Sequence, residues 1–114
     1  MIKALSLNPA CIKTLSAVEA EPNRSNQHEL NGVVQLKSIL GLSRQSFDAR
    51  FSIRGQDGYV ASSVTWYDAR ESHPTRSEYR LYFQTNEVMD RAQEGSTLIL
   101  GLDASGGFWI ELIV

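Results

Sequence analysis

The chain has 114 residues, 42% of them hydrophobic and 21% charged, with a formal net charge of −2; these values fit one globular domain spanning residues 1–114 and exclude a disordered or fibrous chain. No apolar run approaches the ~18 residues of a membrane span and no signal-peptide core opens the chain, so a cytoplasmic protein is expected. One cysteine, Cys11, and two histidines, His28 and His73, make no disulfide framework and no zinc spacing, and no metal or cofactor is implied.

The opening MIKALSL alternates as a strand does. A polar stretch from Asn8 to Asn31, broken by Pro9 and Pro22, then reads as a long loop of the kind that often carries function. Within GVVQLKSILGL, Leu36, Ile39 and Leu40 recur at helical spacing before Gly41, which predicts a short strand and about two turns of helix capped by the glycine. From SFDARFSIRG the period becomes two. Phe47, Ala49, Phe51 and Ile53 take one face, and Asp48, Arg50, Ser52 and Arg54 take a face turned to water or a ligand.

Gly55, Asp57 and Gly58 mark a hairpin turn into the strand VASSVTWYDA. After it comes RESHPTRSEYR, with three arginines in eleven residues, and then EYRLYFQ returns as a strand with Tyr79, Leu81 and Phe83 on one side. NEVMDRAQEG has an N-cap asparagine and a terminal glycine, and predicts a second short helix. STLILGLD, the turn ASGG and FWIELIV make a closing hairpin buried on both faces; its end in mid-strand suggests a domain of a longer polypeptide. The whole reads as mainly β with two short helices, in a twisted, partly closed barrel.

Catalysis finds little footing. Cys11 and His28 have nothing that brings them together, the acids of the second half have no lysine among them, and the only glycine-rich turn precedes no helix. The domain is therefore expected to be non-catalytic by itself. Charge is uneven: residues 1–54 carry seven Lys/Arg and four Asp/Glu, residues 55–114 four and nine, giving +3 and −5. A net acidic chain does not coat nucleic acid indiscriminately. Arg70, Arg76 and Arg80 instead suit local recognition, because the guanidinium fork fits phosphate oxygens and the major-groove edge of guanine. A glutamate such as Glu78 accepts from the cytosine amino group. Solvated surface, with Glu78 paired to an arginine, is the plain alternative; a protein-interaction or inhibitor module that meets an acidic partner through the arginines is another.

Three patches, IKALS, NQHELNGVVQLKSILGL and YDARESHPTRSEYRLYF, bring the chain close to a known pattern. In that order, over nearly all its length, it resembles the N-terminal DNA-binding domain of EcoRII-type restriction endonucleases, a DNA-binding pseudobarrel. The resemblance implies a monomeric recognition or effector module whose N-arm and C-arm grip the major groove of double-stranded DNA at a short G/C-rich site such as CC(A/T)GG. Cleavage would belong to a C-terminal catalytic domain of the same polypeptide. By matching position it places Lys3, Ser6, Asn8, Gln27 and His28 in the N-arm, and Arg70, Arg76, Glu78 and Arg80 in the C-arm. Where the family pattern has a lysine between the glutamate and the last arginine, this chain has Tyr79.

Overall fold

The computed structural model describes residues 6–20, 29–31, 33–70, 72 and 75–114. Its strands are β1 (Ala10–Thr14), β2 (Glu29–Leu30), β3 (Gln45–Ile53), β4 (Val60–Asp68), β5 (Tyr79–Phe83), β6 (Thr97–Leu102) and β7 (Phe108–Ile113). They form one curled, half-barrel sheet in the order β1-β6-β7-β3-β4-β5-β2. Neighbours pair antiparallel except β3 with β7, which run parallel. That parallel seam joins the β6–β7 hairpin to the β3-β4-β5 meander, and no tight turn could make it.

Alternation decides what is buried. Ala49, Phe51 and Ile53 of β3 face Val64 and Trp66 of β4, Leu81 and Phe83 of β5, and Leu98, Leu100, Ile110 and Leu112 of β6 and β7 in one core. Each large apolar side chain removed from water there contributes ~1.5–3 kcal/mol before conformational entropy is charged against it. The polar side of β3 is less open than its alternation suggests, since Ser52 is buried and its register partner Glu111 on β7 is buried too. Arg54 accounts for the buried acid: its Nη1 lies 2.8 Å from Glu111 Oε1.

Helical content is small. A 3-10 turn, Val34–Leu36, runs into α2 (Lys37–Leu40), and Gly41 ends it with φ 84°, its N–H donating to the Lys37 carbonyl at 2.9 Å. The glycine stop was legible in the chain. The second predicted helix is a correction: residues 86–95 make only a 3-10 turn, Met89–Arg91. The Asn86 side chain there accepts from the N–H groups of Val88 and Met89 at 3.1 and 3.0 Å, and one turn is enough to bury Val88, Met89 and Ala92.

The long loop from Asn8 to Asn31 is also corrected, because it contains β1 and a four-residue helix, α1 (Ala17–Ala20). Ser6 and Leu7 form no strand, and the rest of the first predicted strand lies outside the described residues. A capping box starts α1: the Ser16 N–H donates to Glu19 Oε1 at 2.9 Å and the Glu19 N–H to Ser16 Oγ at 3.3 Å. Glu19 is 2% exposed and reaches both ends of the strand order. It pairs with Lys13 of β1 at 3.1 Å, and its Oε2 accepts the N–H of Asn31, just past β2, at 2.7 Å. Among the described residues β1 and β2 do not hydrogen-bond, so this carboxylate spans the gap that a closed barrel would fill with a ladder.

Two substitutions test these joints. Glu19→Ala strips the half-buried Lys13 ammonium and two backbone N–H groups of their partner, and is expected to cost about 2–4 kcal/mol in chemical denaturation. Gly101→Ala would place a Cβ 2.5 Å from the Pro9 carbonyl oxygen and 2.8 Å from Ala10 Cβ, too close for backbone to yield cheaply. A loss of ~1–3 kcal/mol is expected, with faster amide exchange confined to β1 and β6; unchanged exchange in β1 would refute the close approach.

Candidate nucleic-acid interface

The arginine stretch connects β4 to β5, and Asp68 holds its two ends together. Its Oδ1 accepts the N–H of Arg70 at 2.9 Å and that of Glu78 at 2.7 Å, while the Ala69 N–H donates to the Glu78 carbonyl at 2.7 Å. Ionised oxygen is the better acceptor, and the carboxyl of Asp68 is accordingly held below its usual range, chiefly by the Glu78 N–H; desolvation opposes this, and the Arg70 N–H and the charges of Lys37 and Arg70 add to the lowering.

Beneath this clasp a chain of alternating charge crosses the sheet edge. Arg80 donates from Nε to Glu78 Oε2 at 3.0 Å and from Nη1 to Glu29 Oε1 at 3.1 Å. Glu29 also receives the Tyr67 hydroxyl, and the Arg44 guanidinium stands 5.1 Å from the centre of the Tyr67 ring. Arg70 Nε lies 4.0 Å from the other oxygen of Glu78. Two carboxylates therefore engage the Arg80 fork and hold its proton more firmly, Glu78 contributing most. Arg70 and Arg76 are exposed farther out on the connection.

Tyr79, where the family pattern departs, has a structural task. Its ring stacks on Trp66 with centroids 4.9 Å apart and 26° between planes, Lys37 Nζ lies 4.8 Å from its centre, and its hydroxyl donates to the Leu42 carbonyl at 2.9 Å. The Trp66 indole donates to the Gly41 carbonyl at 2.9 Å. Both rings thus dock the end of α2 against the base of the arginine connection.

Of the residues expected to act together, Arg70, Glu78 and Arg80 converge, and Arg76 lies on the same connection. Ser6 and Asn8 are exposed beside β6, where the Asn8 N–H donates to the Leu102 carbonyl at 2.9 Å, near the other end of the strand order. Lys3, Gln27 and His28 lie outside the described residues. Sequence reasoning missed Glu29, Tyr67, Asp68 and Arg44 as parts of the site; only Tyr67 and Asp68 had a signal, their place in the strand that leads to the arginines. Among the described residues no cluster of His, Cys, Asp and Glu could hold a metal ion, and no helix is long and apolar enough to cross a membrane. The sequence matches no protein-family model and no curated protein.

Asp68→Asn tests the clasp. A carboxyl whose folded pKa is lowered stabilises the fold fully above its unfolded value, near 3.9, and loses that contribution as pH falls through the lower folded value. The difference in thermal midpoint between wild type and Asp68→Asn is thus expected to stay constant above about pH 5 and to shrink below about pH 4. Amide exchange at Arg70 and Glu78 should be faster in the variant at neutral pH.

Proposed function

We propose that this domain binds double-stranded DNA sequence-specifically through the β4–β5 connection, as the recognition module of a restriction endonuclease similar to the EcoRII type. One observation carries the reading: a connection clasped by Asp68 and braced by Arg80, Glu78 and Glu29 presents Arg70 and Arg76 to solvent from a rigid base. A braced base lowers the ordering cost of binding, which otherwise offsets each contact made by a long side chain.

The roles then divide. Arg70 and Arg76 meet phosphate or a guanine edge, as guanidinium forks do. Glu78 reads a cytosine amino group through Oε1, which lies too far from Arg70 Nε, at 4.0 Å, for a hydrogen bond between them. Arg80 is a positioning residue, since its donors already turn Glu78 outward. The N-arm residues Lys3, Ser6, Asn8, Gln27 and His28 also grip the duplex, the site is short and G/C-rich, such as CC(A/T)GG, and cleavage belongs to a separate domain.

Selection from a random duplex pool, followed by titration over a range of salt, tests the reading. A short recovered motif is expected, bound ~10³-fold or more above random duplex, with a log–log salt slope of about −4 to −7 and no cutting in magnesium. Glu78→Ala should relax the preference at one base pair, worth ~1–3 kcal/mol of discrimination, and leave the slope nearly unchanged. Equal affinity for cognate and random duplex, or for duplex and polyglutamate, overturns the proposal; in the second case an acidic protein partner takes the place of DNA.

A further inference from the structure

A cleft of about 570 Å³ opens between the β3–β4 turn and the β6–β7 turn, away from the arginine connection. Three carboxylates line it, Asp57, Asp103 and Glu111, together with Tyr59, Trp109 and Ser52; among the described residues no lysine or arginine is in the lining, although Arg50 beside it pairs with Asp103 at 3.3 Å and Arg54 with Glu111 at 2.8 Å. Asp103 is committed to its own turn. Its Oδ2 accepts the Trp109 indole N–H at 2.7 Å, its Oδ1 the Ser105 hydroxyl at 2.7 Å and the Gly107 N–H at 2.8 Å, and these donors hold its carboxyl far below the ordinary range. Glu111 is paired with Arg54 through one oxygen. Asp57 is exposed and has no hydrogen bond or ion pair among the described residues.

The independent sign of a ligand is Ser52. It is 5% exposed, it lines the cleft, and its Oγ has no hydrogen-bond partner. Buried hydroxyls are almost always satisfied, and an unpartnered one just beneath a cavity wall is accounted for by a group that reaches it on binding. Ser52 pairs in register with Glu111, which places the open hydroxyl beside a carboxylate.

We propose that this cleft binds a primary alkylammonium group. Three N–H donors match an open serine oxygen and the carboxylates of Glu111 and Asp57, and the alkyl stem lies along Tyr59 and Trp109. Anions are disfavoured because the two arginines beside the cleft are already paired with Asp103 and Glu111, which leaves the charge of Asp57 uncompensated among the described residues. A planar base finds no slot, because the two rings meet edge to face, 5.2 Å between centroids and 71° between planes, rather than as parallel walls. A quaternary ammonium has no N–H for Ser52. The ammonium could be a free amine or the side chain of a lysine; the site does not depend on the DNA reading, with which it shares Ser6 in its lining.

The indole N–H resonance of Trp109 in the whole chain, titrated with n-butylammonium at constant ionic strength, reads the site. A saturable shift with a Kd on the order of 1 mM is expected, while the indole of Trp66, buried and bonded to Gly41, stays still. Asp57→Asn and Ser52→Ala should each weaken binding several-fold; the first lies in an exposed turn and the second removes an unpartnered hydroxyl, so both should fold. Tetramethylammonium and butyrate should give no saturable shift. Tighter binding of a blocked lysine peptide assigns the ammonium to a protein side chain, and equal or weaker binding assigns it to a free amine. A shift that does not saturate, an equal response to tetramethylammonium, or full affinity in Ser52→Ala overturns the proposal.

Discussion

The parallel pairing of β3 with β7 is the joint on which the molecule depends. Its register sets Phe51 beside Ile110 and Ile53 beside Leu112 on one face, and Arg50 beside Trp109 and Ser52 beside Glu111 on the other. The first set is core, and from the second Ser52, Trp109 and Glu111 line the cleft. Because side chains alternate with a period of two, a slip of one residue would exchange the faces, exposing apolar residues and burying Arg50. Core and cleft therefore cannot be tuned independently.

Closure is handled differently at the edges. A barrel removes its open edges by pairing the first and last strands, whereas here β1 and β2 are linked through one buried carboxylate, Glu19, bonded to Lys13 and to the backbone at Asn31. A hydrogen-bond ladder would demand strands of matched length; a single side chain tolerates the two-residue β2. The arrangement leaves the curled sheet with two ends that can carry different surfaces: Ser6 and Asn8 near β6, and the arginine connection beyond β4 and β5.

The same residue types do opposite jobs at the two polar sites. In the arginine connection two carboxylates, Glu78 and Glu29, engage Arg80, while Arg70 and Arg76 are exposed. At the cleft, Arg50 and Arg54 pair with Asp103 and Glu111, and the lining itself is acidic and aromatic. Arg50 also lies 5.3 Å from the centre of the Tyr59 ring and 5.6 Å from that of Trp109, which ties the two rings to one guanidinium. A net charge of −2 conceals both arrangements.

Periodicity determined much of the architecture. Alternation along β3 and β5, the glycines of the β3–β4 turn and the stop at Gly41 are local effects of side-chain direction and backbone freedom, and each is readable within ten residues. Tyr79 was legible in the same way, since it shares a face with Leu81 and Phe83. What escaped depends on partners distant in the chain. The burial of β1 alternates, but with Ile12 exposed and Lys13 half-buried, so its polarity gives no strand signal and β6 supplies the ladder that makes it a strand. The capping box at Ser16 and Glu19 is a local pattern, but its burial comes from β1 and the end of β2. The residues 86–95 have helical punctuation, yet the core needs only one turn there to cover itself. Arginine content pointed to the β4–β5 connection, whereas the second partner of Arg80 is Glu29, fifty-one residues away and its neighbour through the β2–β5 pairing. Composition places charges along a chain; only tertiary pairing decides which of them are already satisfied.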